Sequence, residues 1–252
     1  MRILKFIIIG LGFLQLVSCG GANQKQDVDT DKIVDTYIQL GMGYLREGKK
    51  DQARFNLLKA IDADSRSPEA NSALALLYQS EGETTLAEKH YKKAIDSDKN
   101  FNQARYNFAG MLLASERFEE AEKQYSVLTE DVNYRLRAQS FLGLGKALEK
   151  QGDLDAAKDA FIRSYQRDPR LTIAFLELAG IALQQEDFVS AKGLLDQFEK
   201  DAEASPRSLK LGIDLAQKFN DADAEASYAL ALRNLFPNSR EAREHILATQ
   251  GE

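Results

Sequence analysis

Residues 40–57 read LGMGYLREGKKDQARFNL, and residues 74–91 read LALLYQSEGETTLAEKHY. The two stretches share one frame. A large residue precedes a small one (Leu40-Gly41, Leu74-Ala75), a glycine marks a turn (Gly48, Gly82), and an alanine follows twelve residues after the small residue (Ala53, Ala87). Four residues further stands a large apolar side chain, Leu57 or Tyr91. The frame returns at Phe108-Ala109 with Ala121 and Tyr125, and at Leu144-Gly145 with Ala157 and Phe161. It returns again at Leu178-Ala179 with Ala191 and Leu195, and at Leu211-Gly212 with Ala224 and Tyr228. Successive starts are 34, 34, 36, 34 and 33 residues apart. Self-similarity at a fixed period of this length signals a stack of repeated supersecondary units rather than one globular domain.

Packing explains the frame. Each unit reads as two helices. The small residue on helix A and the alanine on helix B let the axes approach, and the large side chain fills the space beside them. Turn signals lie between the helices at Glu47-Gly48, Glu81-Gly82, Gln151-Gly152 and Asn220-Asp221. Pro68, Pro169, Pro206 and Pro237 fall at unit boundaries, where proline opens or stops a helix. Residues 131–137 interrupt the period, which predicts an early start and extra length for helix A of the fourth unit. These residues resemble the tetratricopeptide repeat over about 33–237. The resemblance implies an all-α, right-handed superhelix (an α-solenoid) of about six repeats, near 34–67, 68–101, 102–135, 138–171, 172–204 and 205–237. Ser239 can cap a final helix from Arg240 to about Thr249, within residues 238–252, which would cover the last repeat.

Composition narrows the function classes. With 44% hydrophobic residues, 29% charged residues and a net charge of −6, the chain is too apolar and too mixed in sign to be mainly disordered. The acidic balance argues against nonspecific nucleic-acid binding. No phosphate loop, nucleophile elbow or metal-ligand spacing occurs, so neither enzyme nor cofactor is expected. His90 and His245 read as surface histidines.

The N-terminus carries a different chemistry. Arg2 and Lys5 precede an apolar run from Phe6 to Leu14, and Leu16-Val17-Ser18-Cys19 follows. The run is too short for a span of about 20 apolar residues. The tetrapeptide resembles the bacterial lipobox. It implies removal of residues 1–18, triacylation of Cys19 and attachment to a membrane, with no other covalent group. The chain's single cysteine stands at that position. Gly20 follows it, and absence of Asp there implies, by the same resemblance, the periplasmic face of the outer membrane. Residues 19–32 are polar and aperiodic and read as the lipidated cysteine with a flexible tether.

A superhelix of this kind has a concave groove lined mainly by helices A. In the first three repeats the groove positions carry Ile38, Met42, Leu45, Leu76, Tyr106 and Leu113, an apolar set suited to a partner. Repeat four turns polar with Gln139, Lys146, Glu149 and Lys150, and repeats five and six return to apolar with Leu176, Leu183, Leu209 and Ile213. Lipobox, tether and repeats together resemble the type IV pilus biogenesis and stability lipoproteins, the PilF/PilW pilotin group. Tyr106-Asn107-Phe108-Ala109 and the segment from Asp221-Ala222-Asp223-Ala224 to Phe236-Pro237-Asn238-Ser239 carry that likeness. It implies a protein that binds outer-membrane secretin subunits and promotes their targeting and multimerisation for type IV pilus assembly, while a capped solenoid with no heptad seam reads as a monomer. The alternative is a tetratricopeptide lipoprotein scaffolding cell-wall synthases or hydrolases.

Overall fold

A computed structural model describes the backbone of residues 21–250 and the side chains of residues 30–249. Thirteen helices and no strand occur among the described residues. They pair as α1 (Gly21–Arg46) with α2 (Lys50–Ala63), α3 (Pro68–Glu81) with α4 (Thr84–Ser97), and α5 (Asn102–Ala114) with α6 (Phe118–Glu130). The series continues with α7 (Arg137–Gln151) and α8 (Leu154–Arg167), α9 (Ile173–Gln184) and α10 (Phe188–Asp201), and α11 (Pro206–Phe219) and α12 (Ala222–Leu235). The final helix α13 spans Arg240–Gln250. The first helix of each pair also packs on its counterpart in the next, as α1 on α3, α3 on α5 and α5 on α7, which builds the superhelical stack.

The repeating frame is the core. Ala53, Ala87, Ala121, Ala157 and Ala191 are fully buried, as are Leu57, Tyr91, Phe161 and Leu195. A methyl group on Gly145 would come within 2.5 Å of the Phe161 ring, and one on Gly41 within 2.6 Å of Leu57. The small residue is therefore required by the helix-B side chain seated on it. Tyr125 makes a second contact of this kind, because a methyl on Gly143 of the following repeat would strike its ring.

Local chemistry sets the ends. Ser67 and Ser205 cap α3 and α11, each ahead of a proline in the first turn, and Asp153, Asp187 and Asp221 cap α8, α10 and α12. Within each pair the turn has one left-handed residue, at Gly48, Gly82, Glu116, Gly152, Glu186 and Asn220. Four of these carry a residue suited to positive φ. Glu116 and Glu186, at φ 59° and 60°, do not, and the periodic turn holds them there against their preference.

A polar ladder joins successive pairs. Arg54 Nη2 donates to Glu81 Oε1 at 2.6 Å, Arg117 Nη2 to Glu88 Oε1 at 3.1 Å, Gln151 Nε2 to Glu122 Oε2 at 2.8 Å, and Lys158 Nζ to Gln185 Oε1 at 3.2 Å. Positions 54, 88, 122 and 158 are equivalent in the repeat, so helix B of one pair grips the end of helix A, or the turn after it, in the next. Arg117, with some help from Lys92, holds the Glu88 carboxyl down at about 2.

Three expectations need correction. The stretch from Gly21 to Lys32, read as a flexible tether, is the start of α1. It holds no proline, and Ala22, Gln24, Lys25 and Gln26 are good helix formers, so the helix runs on beyond its packed part. The residues that break the period before repeat four form turns over 131–136, and α7 is only one residue longer than α3. His90 is half-buried: its Nδ1 lies 3.0 Å from Asn71 Oδ1, and burial lowers its pKa. The expected last helix is present, with Ala242 N donating to Ser239 Oγ at 3.1 Å. Ala242 is buried against Leu209, Ile213 and Leu232, while Leu247 stays exposed. The leader and Cys19 lie outside the described residues, among which no helix is long and apolar enough to cross a membrane.

A left-handed non-glycine residue costs about 1–2 kcal/mol, part of which glycine returns through greater freedom of the unfolded chain. Glu116→Gly and Glu186→Gly should therefore each stabilise the stack by about 0.5–1 kcal/mol in urea unfolding. Gly48→Ala should destabilise by a similar amount. A loss of stability in both glutamate variants would refute this account.

Candidate partner-binding groove

The apolar groove set divides into two adjoining groups. Ile38, Met42 and Leu45 from α1 are half-buried and packed on Ala53, Leu57, Ala73, Leu74 and Leu77. Leu76, Tyr106 and Leu113, from α3 and α5, are half-buried on the cluster that contains Tyr91, Phe108 and Tyr125. Tyr78 packs against both clusters. The Tyr106 ring stands edge-on to Tyr125 with centroids 6.0 Å apart, and burial raises the pKa of both phenols. All six side chains thus support the core with one side and keep part of their surface accessible. Leu113 borders a formed cleft.

That cleft, about 410 Å³, lies further along helices A and is charged. Leu113 and Phe118 border it beside Lys146, Glu149, Lys150, Glu177, Arg207 and Arg240. Glu177 is its centre. Only 1% of this residue is exposed, and its carboxylate meets Lys146 Nζ at 3.2 Å from α7 and the Arg207 guanidinium from α11. One buried acid thereby braces the helices on either side of α9. A methyl on Gly180, one turn along from Glu177, would lie 3.3 Å from Arg207 Nη2, so the missing side chain leaves room for the guanidinium. Burial, then the charge on Glu177, raises the Glu149 carboxyl above its ordinary value.

Sequence reasoning placed Lys146, Glu149 and Lys150 in this polar stretch, and the cleft brings them together. Glu177 and Arg207 were missed. Nothing local distinguishes a buried glutamate from a surface one when its partners lie on other repeats. Leu176, Leu209 and Ile213, expected in the groove, are core residues at 1%, 5% and 1% exposure, and Leu183 is half-buried. The C-terminal half of the groove is floored by charge where an apolar lining was expected.

Comparison with known proteins agrees with this architecture. The tetratricopeptide repeat family pattern matches residues 38–100, 72–135 and 142–206. The chain is a tetratricopeptide-repeat protein. It is also 34% identical, over 97% of both chains, to the type IV pilus assembly protein PilF of Pseudomonas aeruginosa. It therefore belongs to the PilF family of type IV pilus proteins. The solved structure of P. aeruginosa PilF matches with a TM-score of 0.78 at 35% identity, covering 87% of this chain and 99% of that one. The crystal structure of PilW, a widely conserved type IV pilus biogenesis factor, shares the fold with a TM-score of 0.76 at 22% identity, covering 85% and 98%. An uncharacterised protein of Haemophilus influenzae is 29% identical over 41% of this chain and 58% of its own length.

Removing one partner of a buried ion pair costs more than neutralising the pair, because it strands a buried charge. Arg207→Met should destabilise more than Glu177→Gln, which should cost about 1–2 kcal/mol. The double variant should cost less than the sum of the two singles in urea unfolding. Strict additivity would show that the brace contributes nothing.

Proposed function

We propose that this protein is a lipid-anchored pilotin that binds outer-membrane secretin subunits and promotes their targeting and assembly into the ring through which a type IV pilus passes. The likeness to PilF along 97% of both chains carries this reading. The half-buried apolar residues of the first three repeats support it by offering a docking surface. Ile38, Met42, Leu45, Leu76, Tyr106 and Leu113 can each bury further area against a partner segment, at about 25 cal/mol per Å2 before ordering costs. The unbranched Met42 side chain can adapt to the surface it meets.

Cys19 supplies the address in this reading. Several acyl chains together hold a protein firmly on a bilayer, where a single chain is marginal. A helical lead from Gly21 into α1 makes the link between lipid and stack more rod-like than a loose coil, at about 1.5 Å per residue. The work is binding, without covalent chemistry on the partner and without a cofactor, and a single copy suffices for it.

Deletion of the gene should abolish heat-stable secretin multimers in the outer membrane and surface pili together. Normal multimers and pili would reject the pilotin reading and favour a scaffold for cell-wall synthases or hydrolases. Leu45→Glu and Tyr106→Glu should each weaken capture of purified secretin at least about tenfold, or 1.4 kcal/mol, with unchanged far-ultraviolet circular dichroism. Unchanged capture would move the contact elsewhere. Cys19→Ala should lose palmitate labelling and membrane association, and labelling that persists in this variant would exclude the lipobox assignment.

A further inference from the structure

The longest spacing in the repeat, 36 residues between Phe108 and Leu144, coincides with a concentration of arginines. Residues 131–136 carry Val132, Tyr134 and Arg135 to the place where α7 begins and α8 ends. There Arg137, Gln139, Arg167 and Arg170 join them around a cleft of about 360 Å³, with Asp168 as its one carboxylate. Beside it lies Phe141, a buried ring surrounded by three guanidiniums. Arg167 stands 4.4 Å from the ring centroid, Arg137 5.7 Å and Arg163 5.8 Å.

This cluster is short of negative charge. Arg163 pairs with Asp159 at 2.8 Å and Arg170 with Asp168 at 2.9 Å. Arg137 Nε donates to the Thr129 carbonyl at 2.7 Å, and Arg167 Nη1 to the Arg163 carbonyl at 3.1 Å, both neutral acceptors. Among the described residues no carboxylate forms an ion pair with Arg135, Arg137 or Arg167. Packing of the guanidinium, then the Arg137 and Arg163 charges, lowers the Arg167 pKa, which is the direction mutual repulsion demands. One ring cannot offset three neighbouring like charges by cation–π attraction alone, because it has only two faces. In addition, Gln139 Oε1 on the cleft is buried and has no donor. The excess of cations stands out in a chain of net charge −6.

We propose that this cleft binds a doubly charged phosphate group, either free inorganic phosphate or the phosphomonoester headgroup of a lipid. Crowded guanidiniums call for two negative charges on one centre. A phosphate monoester carries about −1.5 to −2 near neutral pH on three acceptor oxygens, whereas a peptide carboxylate carries a single charge. Planar guanidinium forks match phosphate oxygens bidentately, so Arg137 and Arg167 can engage one phosphate together while the exposed Arg135 closes over it. When the ligand is inorganic phosphate, the P–O–H of its doubly charged form also offers a donor for Gln139 Oε1, which a dianionic monoester does not. Tyr134 lines this cleft and packs on the same cluster as Tyr106 and Leu113, so the site adjoins the apolar groove, but it does not depend on the pilotin reading.

The test is titration calorimetry on the full-length protein in zwitterionic detergent at about 0.15 M ionic strength, where the Debye length is roughly 8 Å. The titrants are inorganic phosphate, dihexanoyl phosphatidic acid, dihexanoyl phosphatidylcholine and a poly-glutamate peptide. Saturable binding of phosphate or of phosphatidic acid, but not of phosphatidylcholine, is expected, with a rise in melting temperature. Arg137→Gln, Arg167→Gln and the exposed-loop variant Arg135→Gln should each lose at least about tenfold in affinity. Binding of both phosphoryl titrants, or of either alone, upholds the site, and the pattern distinguishes a soluble phosphate from a lipid headgroup. Absence of binding by the unmodified protein, or preference for poly-glutamate, overturns the proposal. So does a lower melting temperature in ligand-free Arg167→Gln with unchanged phosphate affinity, which would make the arginines purely structural.

Discussion

The stack depends on one contact repeated along it: a large side chain from helix B seated on a small residue of helix A. Leu57 on Gly41, Phe161 on Gly145 and Tyr228 on Gly212 all lie so close that a single added methyl would clash. Close packing of this kind has little room to relax, so it fixes the separation and register of each helix pair. Other features follow from that spacing. The turn is two or three residues long, its left-handed residue recurs seven residues after the small one in the first five repeats, and helix B reaches the next repeat at equivalent positions 54, 88, 122 and 158. At the end of the stack the contact stays close but is less covered: Ala224 and Tyr228 are partly exposed, and α13 provides partial cover.

Much of this was legible in the sequence because the constraint is local and periodic. The small residue, the alanine and the large residue lie within 17 positions, so their spacing survives as text. The same holds for Ser67 and Ser205 before their prolines and for Ser239 before α13. Glu116 and Glu186 were illegible for the opposite reason. Their left-handed conformation comes from helix packing on both sides, and the residues themselves give no signal for it. Gly143 was missed because its partner Tyr125 belongs to the preceding repeat.

The groove was only half legible, again for a physical reason. Core and groove positions adjoin on the same helix, about 100° per residue apart, and an apolar side chain suits both. Whether it is covered depends on the neighbouring repeat. Ile38, Met42 and Leu45 lie on the first helix A, and they remain half-buried. Leu176, Leu209 and Ile213 fill the same pattern deeper in the stack and become core. The acid at Glu177 shows the converse: it looks like a surface residue in sequence, yet Lys146 and Arg207 on the flanking helices make its burial tolerable.

The distribution of polarity follows the same logic. Apolar residues in the first three repeats adapt their exposed sides to a partner and already have their other sides supported. A buried ion pair tolerates much less adaptation, since any displacement of Arg207 or Lys146 exposes Glu177 to an unbalanced desolvation cost. The second half of the groove carries this charge network. The arginine cluster lies at the junction of these halves, where the extra residues relax the strict period. The insertion ahead of repeat four brings Val132, Tyr134 and Arg135 to this cleft without disturbing the small-to-large contact between Gly145 and Phe161. Variation placed between repeats rather than inside the A–B contact is the kind this architecture can absorb.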